Sequence, residues 1–248
     1  MNLNPMKKIT LPIIMLLLAF GSSFGQEKRV ALVTFFGDKK IGGTGMSTIG
    51  ESLMKDPAFN LQPLVEKAYA RFVNEFAKDF PFKLIDAKDI SGNSAYQSYQ
   101  SVMLADTSKG FNKAMGIQYA IVPGMIWAYG DNQGLLSEAK RDPCNLAKIF
   151  PDADGILFVS MDYEFESRAM GFAAGAKAYL NMFLYDKKCD KVFRIRESGI
   201  SKGKVPAAGG IPIMNIQKIQ PLCEEATEVL FEELKGKLSK IVKKSAKF

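Results

Sequence analysis

Three carboxylates, Asp162, Glu164 and Glu166, stand at alternate positions of one run of the chain. Alternate residues of a β-strand share a face, so the spacing offers an acid/base pair or a cation site. A strand sets such side chains about 7 Å apart, whereas a calcium ion wants about six to eight oxygens converging on one point. Arg194 and Arg196 repeat the same spacing further on. A solvated sheet face with cross-strand ion pairs accounts for both sets and is the preferred reading.

A second candidate is glycine-rich, over residues 37–50. Gly37 to Thr44 resembles a phosphate-binding loop in spacing, and it follows an apolar run as such a loop should. Gly43, however, stands where the motif needs the lysine that reaches the phosphates. In the next window Thr48 occupies the place of the third glycine of a dinucleotide fingerprint. The segment therefore reads as a surface loop with a lid or partner-contact role. Gly42 and Thr44 are its candidate contact residues.

A third candidate is the alternation Lys177, Tyr179, Asn181, Phe183, Tyr185. Aromatic side chains among polar ones can make a partner surface. The competing expectation is a half-buried face beneath residues 203–221, and it is favoured. Lys177, Tyr179 and Phe183 remain the candidates if a partner binds.

The chain of 248 residues holds no histidine and three cysteines. Without histidine there is no Ser-His-Asp triad, no Cys-His dyad and no His-ligated zinc or haem site. No catalytic residue, metal site or cofactor motif can be assigned. With three cysteines at most one disulfide forms. Cys189 sits in an expected hairpin turn, and Cys144 and Cys223 open expected helices. A thiol at a helix N-terminus would be a reactive thiolate, but a buried, inert cysteine is the favoured expectation for Cys223.

The elements that must position these residues follow from periodicity. Arg29 to Phe36 reads as a strand buried on both faces. Residues 61–80 carry a helical apolar stripe, 82–85 a short strand, and 94–115 a weaker helix. Ile117 to Tyr129 alternates as a central strand covered on both sides, with a bend at Pro123-Gly124. Asp142-Pro143 reads as an N-cap followed by proline, with a helix to Phe150. Strands are expected over 155–166, 177–185 and 191–198, the last two joined by a hairpin turn at 186–190. Residues 203–221 read as a long loop or edge segment. A final helix spans 222–244, with its acids first and its lysines last, as the helix dipole prefers. The order β-α-β-α-β-α-β-β-β-α predicts a single α/β (α+β) domain over 26–248, a mixed sheet flanked by helices.

Residues 1–25 read as a signal peptide. Lys7 and Lys8 precede the apolar run Ile9 to Phe20, and Ser23 and Gly25 are small residues before a cleavage point at Gln26. The run is short for a membrane span, though an uncleaved anchor is the alternative, and no lipidation cysteine follows it. Cleavage removes two lysines and no acids, lowering the formal charge of +7 by two. Export to the periplasm argues against a nucleic-acid partner. The lysines at the C-terminus offer a weak contact to anionic membrane.

The segments Val30 to Phe36, Phe82 to Asp86, Gly116 to Gly124, Ala176 to Asp186 and Lys191 to Arg196 occur in an order that resembles the α/β module of bacterial envelope proteins. Examples are the curli secretion-channel lipoproteins (CsgG-like), the N-terminal domain of TolB and the LpoB-like activators of penicillin-binding proteins. The resemblance implies an assembly, binding or secretion role without catalytic residues. The expectation is a non-catalytic exported envelope protein that binds an envelope protein partner. The alternative is a small-ligand-binding protein or hydrolase using the 37–50 loop and the carboxylates.

Overall fold

The structure, a computed structural model, describes residues 27–42, 52–53, 56–102, 119–130, 141–208, 211–212, 216–246 and 248. The expected signal peptide, Thr44 with most of the glycine-rich segment, and the second half of the expected 94–115 helix lie outside these residues.

β1 (Arg29–Asp38) is the apolar run that opens the domain, and its interior residues are buried. Along one side it pairs in parallel with β4 (Gly155–Arg168). Along the other it pairs in parallel with β2 (Lys83–Leu84) at its start and antiparallel with β3 (Tyr119–Ile121) at its end. β4 and β5 (Ala173–Asp186) form an antiparallel hairpin paired along its whole length, from Gly155 opposite Asp186 to Arg168 opposite Ala173. β6 (Lys191–Ile200) adds to β5 through the 186–190 turn. β7 (Val205–Ala208) pairs with the start of β5, and β8 (Ile211–Pro212) with β7. The result is a mixed sheet.

Helices cover both faces. α1 (Gln62–Arg71), continued through a wider π turn (Phe72–Phe76) and a tighter 3-10 turn (Ala77–Asp79), packs on one face with the long α5 (Ile216–Ser245). Leu64, Val65, Ala68, Ala226, Leu230 and Leu234 meet Leu157, Val159, Leu180 and Met182 there. The other face carries α2 (Ala87–Ser91), α3 (Ser94–Gln97) and α4 (Asp142–Ile149). Ile90, Tyr96 and Leu146 pack on Ala31, Val33, Ile156, Phe158, Phe183 and Tyr185. Two cores on one sheet are what the doubly buried β1 requires.

Several expectations are corrected. The described part of the 117–129 segment is not a central strand: among the described residues Tyr119–Ile121 alone forms a strand there, paired with β1. Pro123 has no N–H to give a ladder, Gly124 turns at φ 82°, and the Met125 N–H donates back to the Val122 carbonyl at 3.0 Å. Beyond the turn side chains satisfy the backbone. Thr34 Oγ1 donates to the Ile126 carbonyl at 2.7 Å, and the Ile126 N–H donates to Tyr96 Oη at 3.1 Å.

Asp142 is not an N-cap but the first residue of α4, with Pro143 following in the first turn. Its carboxylate is wholly buried and accepts from Tyr99 Oη and Ser101 Oγ at 2.6 Å each, from the Val102 N–H at 2.9 Å and from the Tyr129 N–H at 3.3 Å. Four tertiary donors outcompete the helix's own end. Of the helix expected over 94–115, Ser94–Gln97 is helical and the chain leaves the helix after it, while residues 103–115 lie outside the described residues.

The last helix begins at Ile216, earlier than expected, with Pro221 inside it and Ile219 already buried. Cys223 therefore lies within the helix. It is the free cysteine, wholly buried, and burial pushes its thiol up to about 12. Cys144 and Cys189 form the disulfide, tying α4 to the β5–β6 turn.

Candidate functional site

The face of the sheet under α2–α4 changes character along its length. Phe158 opposite Phe183 is the last apolar pair. Ser160 opposite Asn181, Asp162 opposite Tyr179 and Glu164 opposite Lys177 follow on the same face. On β6, Arg194 stands opposite Phe183 and Arg196 opposite Asn181. On β1, Phe36 stands opposite Ser160, which brings Asp38, two residues on, to the same face as Asp162. Strand period and register thus gather residues from four strands.

The carboxylates are held by neutral donors rather than by the expected ion pairs. Asn181 Nδ2 donates to Asp162 at 2.7 Å and Tyr179 Oη donates to Glu164 at 2.8 Å. Arg196 lies over the Tyr179 ring at 4.1 Å and acts on Asp162 through its charge. Lys177 lies over the same ring, 5.0 Å from its centroid, and Arg194 lies 5.4 Å from the centroid of the Phe183 ring. Cations over aromatic faces are attracted by the ring quadrupole.

Burial raises Asp162, opposed by the Asn181 hydrogen bond and the Arg196 charge, with the Glu164 charge adding to the rise. Asp38 is pushed up to about 6, first by burial; the Lys40 N–H, donating to Oδ1 at 2.8 Å, opposes this, and the Asp162 charge reinforces it. Asp38 thus feels the charge of Asp162, though less than it feels its own burial. Beside Asp38 stands an aromatic wall. Tyr119 meets Phe36 and Trp127 with centroids 5.1 Å away in each case, and Trp127 stacks with Tyr129 at 6.4 Å. Trp127 Nε1 is buried without a hydrogen-bond partner.

Of the candidate contact residues, Gly42, Lys177 and Tyr179 converge on Glu164. The Gly42 N–H donates to the Tyr163 carbonyl at 2.7 Å and its carbonyl accepts from the Phe165 N–H at 3.1 Å, so the opening of the glycine-rich segment is bound along β4. A Cβ at Gly42 would lie 3.6 Å from Glu164 Cγ, an ordinary contact, so packing does not demand glycine there. Phe183 is a correction: it is 3% exposed and belongs to the core under α2–α4. Thr44 lies outside the described residues. The half-buried face was expected beneath residues 203–221, but Val205 and Ala207 join the opposite core. Asp38, Tyr119 and Trp127 carried no sequence signal, because only the pairing of β1 with β3 and β4 brings them to the carboxylates. Among the described residues no group of three or more His, Cys, Asp or Glu is placed to hold a metal ion.

No family model matches the chain, and no curated protein matches it significantly. Solved structures of similar outline are a hypothetical protein of Chlamydia trachomatis (11% identity, 86% of this chain and 98% of that one, TM-score 0.36), a lipoprotein of Neisseria meningitidis (9%, 71% and 83%, 0.27) and a homologue of a neuraminyllactose-binding hemagglutinin from Helicobacter pylori (10%, 90% and 91%, 0.32). At these identities and TM-scores they assign no role to any residue. No helix among the described residues is long and apolar enough to cross a membrane.

Proposed function

We propose that this is an exported, non-catalytic binding protein of the cell envelope, and that its protein partner docks on the polar-aromatic face of β4, β5 and β6. One observation carries the reading: Arg196 and Lys177 are stacked on the partly exposed Tyr179, whose hydroxyl is fixed by Glu164. Tyrosine and arginine dominate the energetics of protein interfaces, because they give large contact area with polar ends. Here both are held in place before a partner arrives, which lowers the ordering cost of binding. The resemblance to envelope α/β modules and the export signal read from residues 1–25 fit this role.

A photo-crosslinking residue at position 179 tests it in living cells. A discrete adduct with one envelope protein is expected, and none from the same residue at exposed Glu224 on α5. Equal adducts from both positions, or none from 179, would reject the reading.

A second reading rests on Asp38 and Asp162. A carboxyl raised to about 6 by burial, beside a second buried carboxyl that is also raised, can donate to or accept from a ligand hydroxyl. This reading takes the face as a small-ligand or hydrolase site. It predicts turnover or binding that is lost in both Asp38→Asn and Asp162→Asn; retention in either variant would remove it.

A further inference from the structure

The β4–β5 hairpin ends in a feature that the partner face does not use. Met170 is 98% exposed and Phe172 75% exposed, and they are the exposed large hydrophobic side chains among the described residues. The turn that carries them has three successive left-handed residues, Ala169 (φ 49°), Met170 (φ 54°) and Gly171 (φ 92°). Only glycine adopts that region without steric strain.

The turn is nevertheless braced. The Arg168 guanidinium donates to the Ser201 and Lys202 carbonyls. The Ala207 N–H donates to the Phe172 carbonyl at 3.0 Å, and the Phe172 N–H to the Ala169 carbonyl at 3.1 Å. Two apolar side chains are thus displayed to solvent on a fixed backbone. Exposed apolar surface on a preorganised support is a contact surface.

Charge selects the kind of contact. Arg168 precedes the turn, Lys202 lies where Arg168 bonds, and Lys204 precedes Val205, which pairs with Ala174 beside the turn. Lys177 stands further down β5. The acids beside the turn are Glu166, opposite Gly175, and Glu225, whose carboxylate accepts from the Gly203 N–H at 2.8 Å. Glu228, Glu232 and Glu233 line a groove with Lys202 and Glu225, but Lys67, Arg71 and Lys237 pair with them. Arg168, Lys202 and Lys204 against Glu166 and Glu225 leave the rim around Met170 and Phe172 with a small positive excess. An apolar tip with a basic rim suits the boundary of an anionic bilayer: the apolar groups enter between headgroups while lysine stems reach back to the phosphates. A protein pocket would need matching walls, whereas a fluid interface accepts two nearly fully exposed side chains as they stand.

We propose that the β4–β5 tip, Met170 and Phe172 with Arg168, Lys202 and Lys204, docks the protein reversibly on an anionic lipid surface. Two side chains bury too little to anchor it permanently, so the contact orients the molecule with the β4–β6 face near the membrane.

The test is Phe172→Trp, read by fluorescence against the single native Trp127 as background. Vesicles of phosphatidylcholine alone are compared with vesicles containing about one-third phosphatidylglycerol, both with brominated acyl chains as quenchers. The expected result is a blue shift and quenching with the anionic vesicles, at a lipid concentration roughly tenfold or more below that for phosphatidylcholine. Lys202→Glu combined with Lys204→Glu raises that concentration by roughly tenfold or more, with the unfolding midpoint unchanged. The readout is local to residue 172, so membrane binding by residues 9–20 cannot imitate it. Absence of quenching with anionic vesicles, equal affinity for both vesicles, or a concentration-dependent shift without lipid (a second copy taking the tip) would each overturn the proposal. The 179 crosslink is independent of all three outcomes.

Discussion

Asp38 is the residue at which environment most changes chemistry. Its carboxyl is raised to about 6 in the folded protein, mainly by burial, from an ordinary value of 3.8. Between those values the native state binds more protons than the unfolded state, so stability falls as pH rises through the window. The contribution is fully favourable below the unfolded value and is lost once pH passes about 6. Asp38→Asn keeps an oxygen for the Lys40 N–H and removes the charge. We expect it to stabilise the protein at pH 7 by roughly 1–2 kcal/mol, the screened value for a partly exposed carboxyl, and to flatten the pH dependence. Urea unfolding at pH 4, 5, 6 and 7 checks this, and an unchanged slope would reject the assignment. Cys223 makes the opposite point. Its spacing read as a helix start, but burial within α5 leaves it protonated and inaccessible. Iodoacetamide at pH 8 should leave it unmodified in the native protein and alkylate it in urea, as mass spectrometry would show.

Among the elements, α5 and β6 meet most closely at Gly199. A Cβ there would land on the backbone of Leu230 and Ala226, and backbone cannot rotate away as a side-chain end can. Gly199→Ala should cost about 2–3 kcal/mol or more, seen as a lower denaturation midpoint, while Gly236→Ala, which meets nothing within 4 Å, serves as the helix control. The disulfide is the second element-scale constraint. It closes a loop of sequence separation 45, for which chain entropy gives roughly 4 kcal/mol. The Arg141 guanidinium, donating to the Cys189 carbonyl at 2.8 Å, supports the same junction. Cys144→Ser with Cys189→Ser should lower unfolding free energy by about 2–4 kcal/mol, and a reductant should shift the parent's midpoint and leave the variant's unchanged. The strands of the β4–β5–β6 meander were legible because alternation and turn chemistry are local. The 117–129 strand was misread because its alternation is real while the ladder partners are not there: side chains of Thr34, Tyr96 and Asp142 bond that backbone instead.

For the whole molecule, the mixed sheet with helices on both faces is the architecture that the order of elements predicted. Periodicity states how many faces an element must bury, and a doubly buried β1 admits few arrangements other than helices on both sides. The absence of histidine likewise bounds the chemistry before any folding is considered. The sequence by itself therefore determined the class of fold, the hairpins, the absence of histidine chemistry and the presence of a charged, aromatic strand face. The tertiary structure decided which strands lie beside one another, and with that the meeting of Asp38 with Asp162, the exchange of ion pairs for Asn181 and Tyr179, the choice of Cys144 as partner of Cys189, and the removal of Phe183 to the core. Each of these depends on register between segments distant in the chain. Local spacing fixes the face a side chain takes, but only packing fixes what stands opposite it.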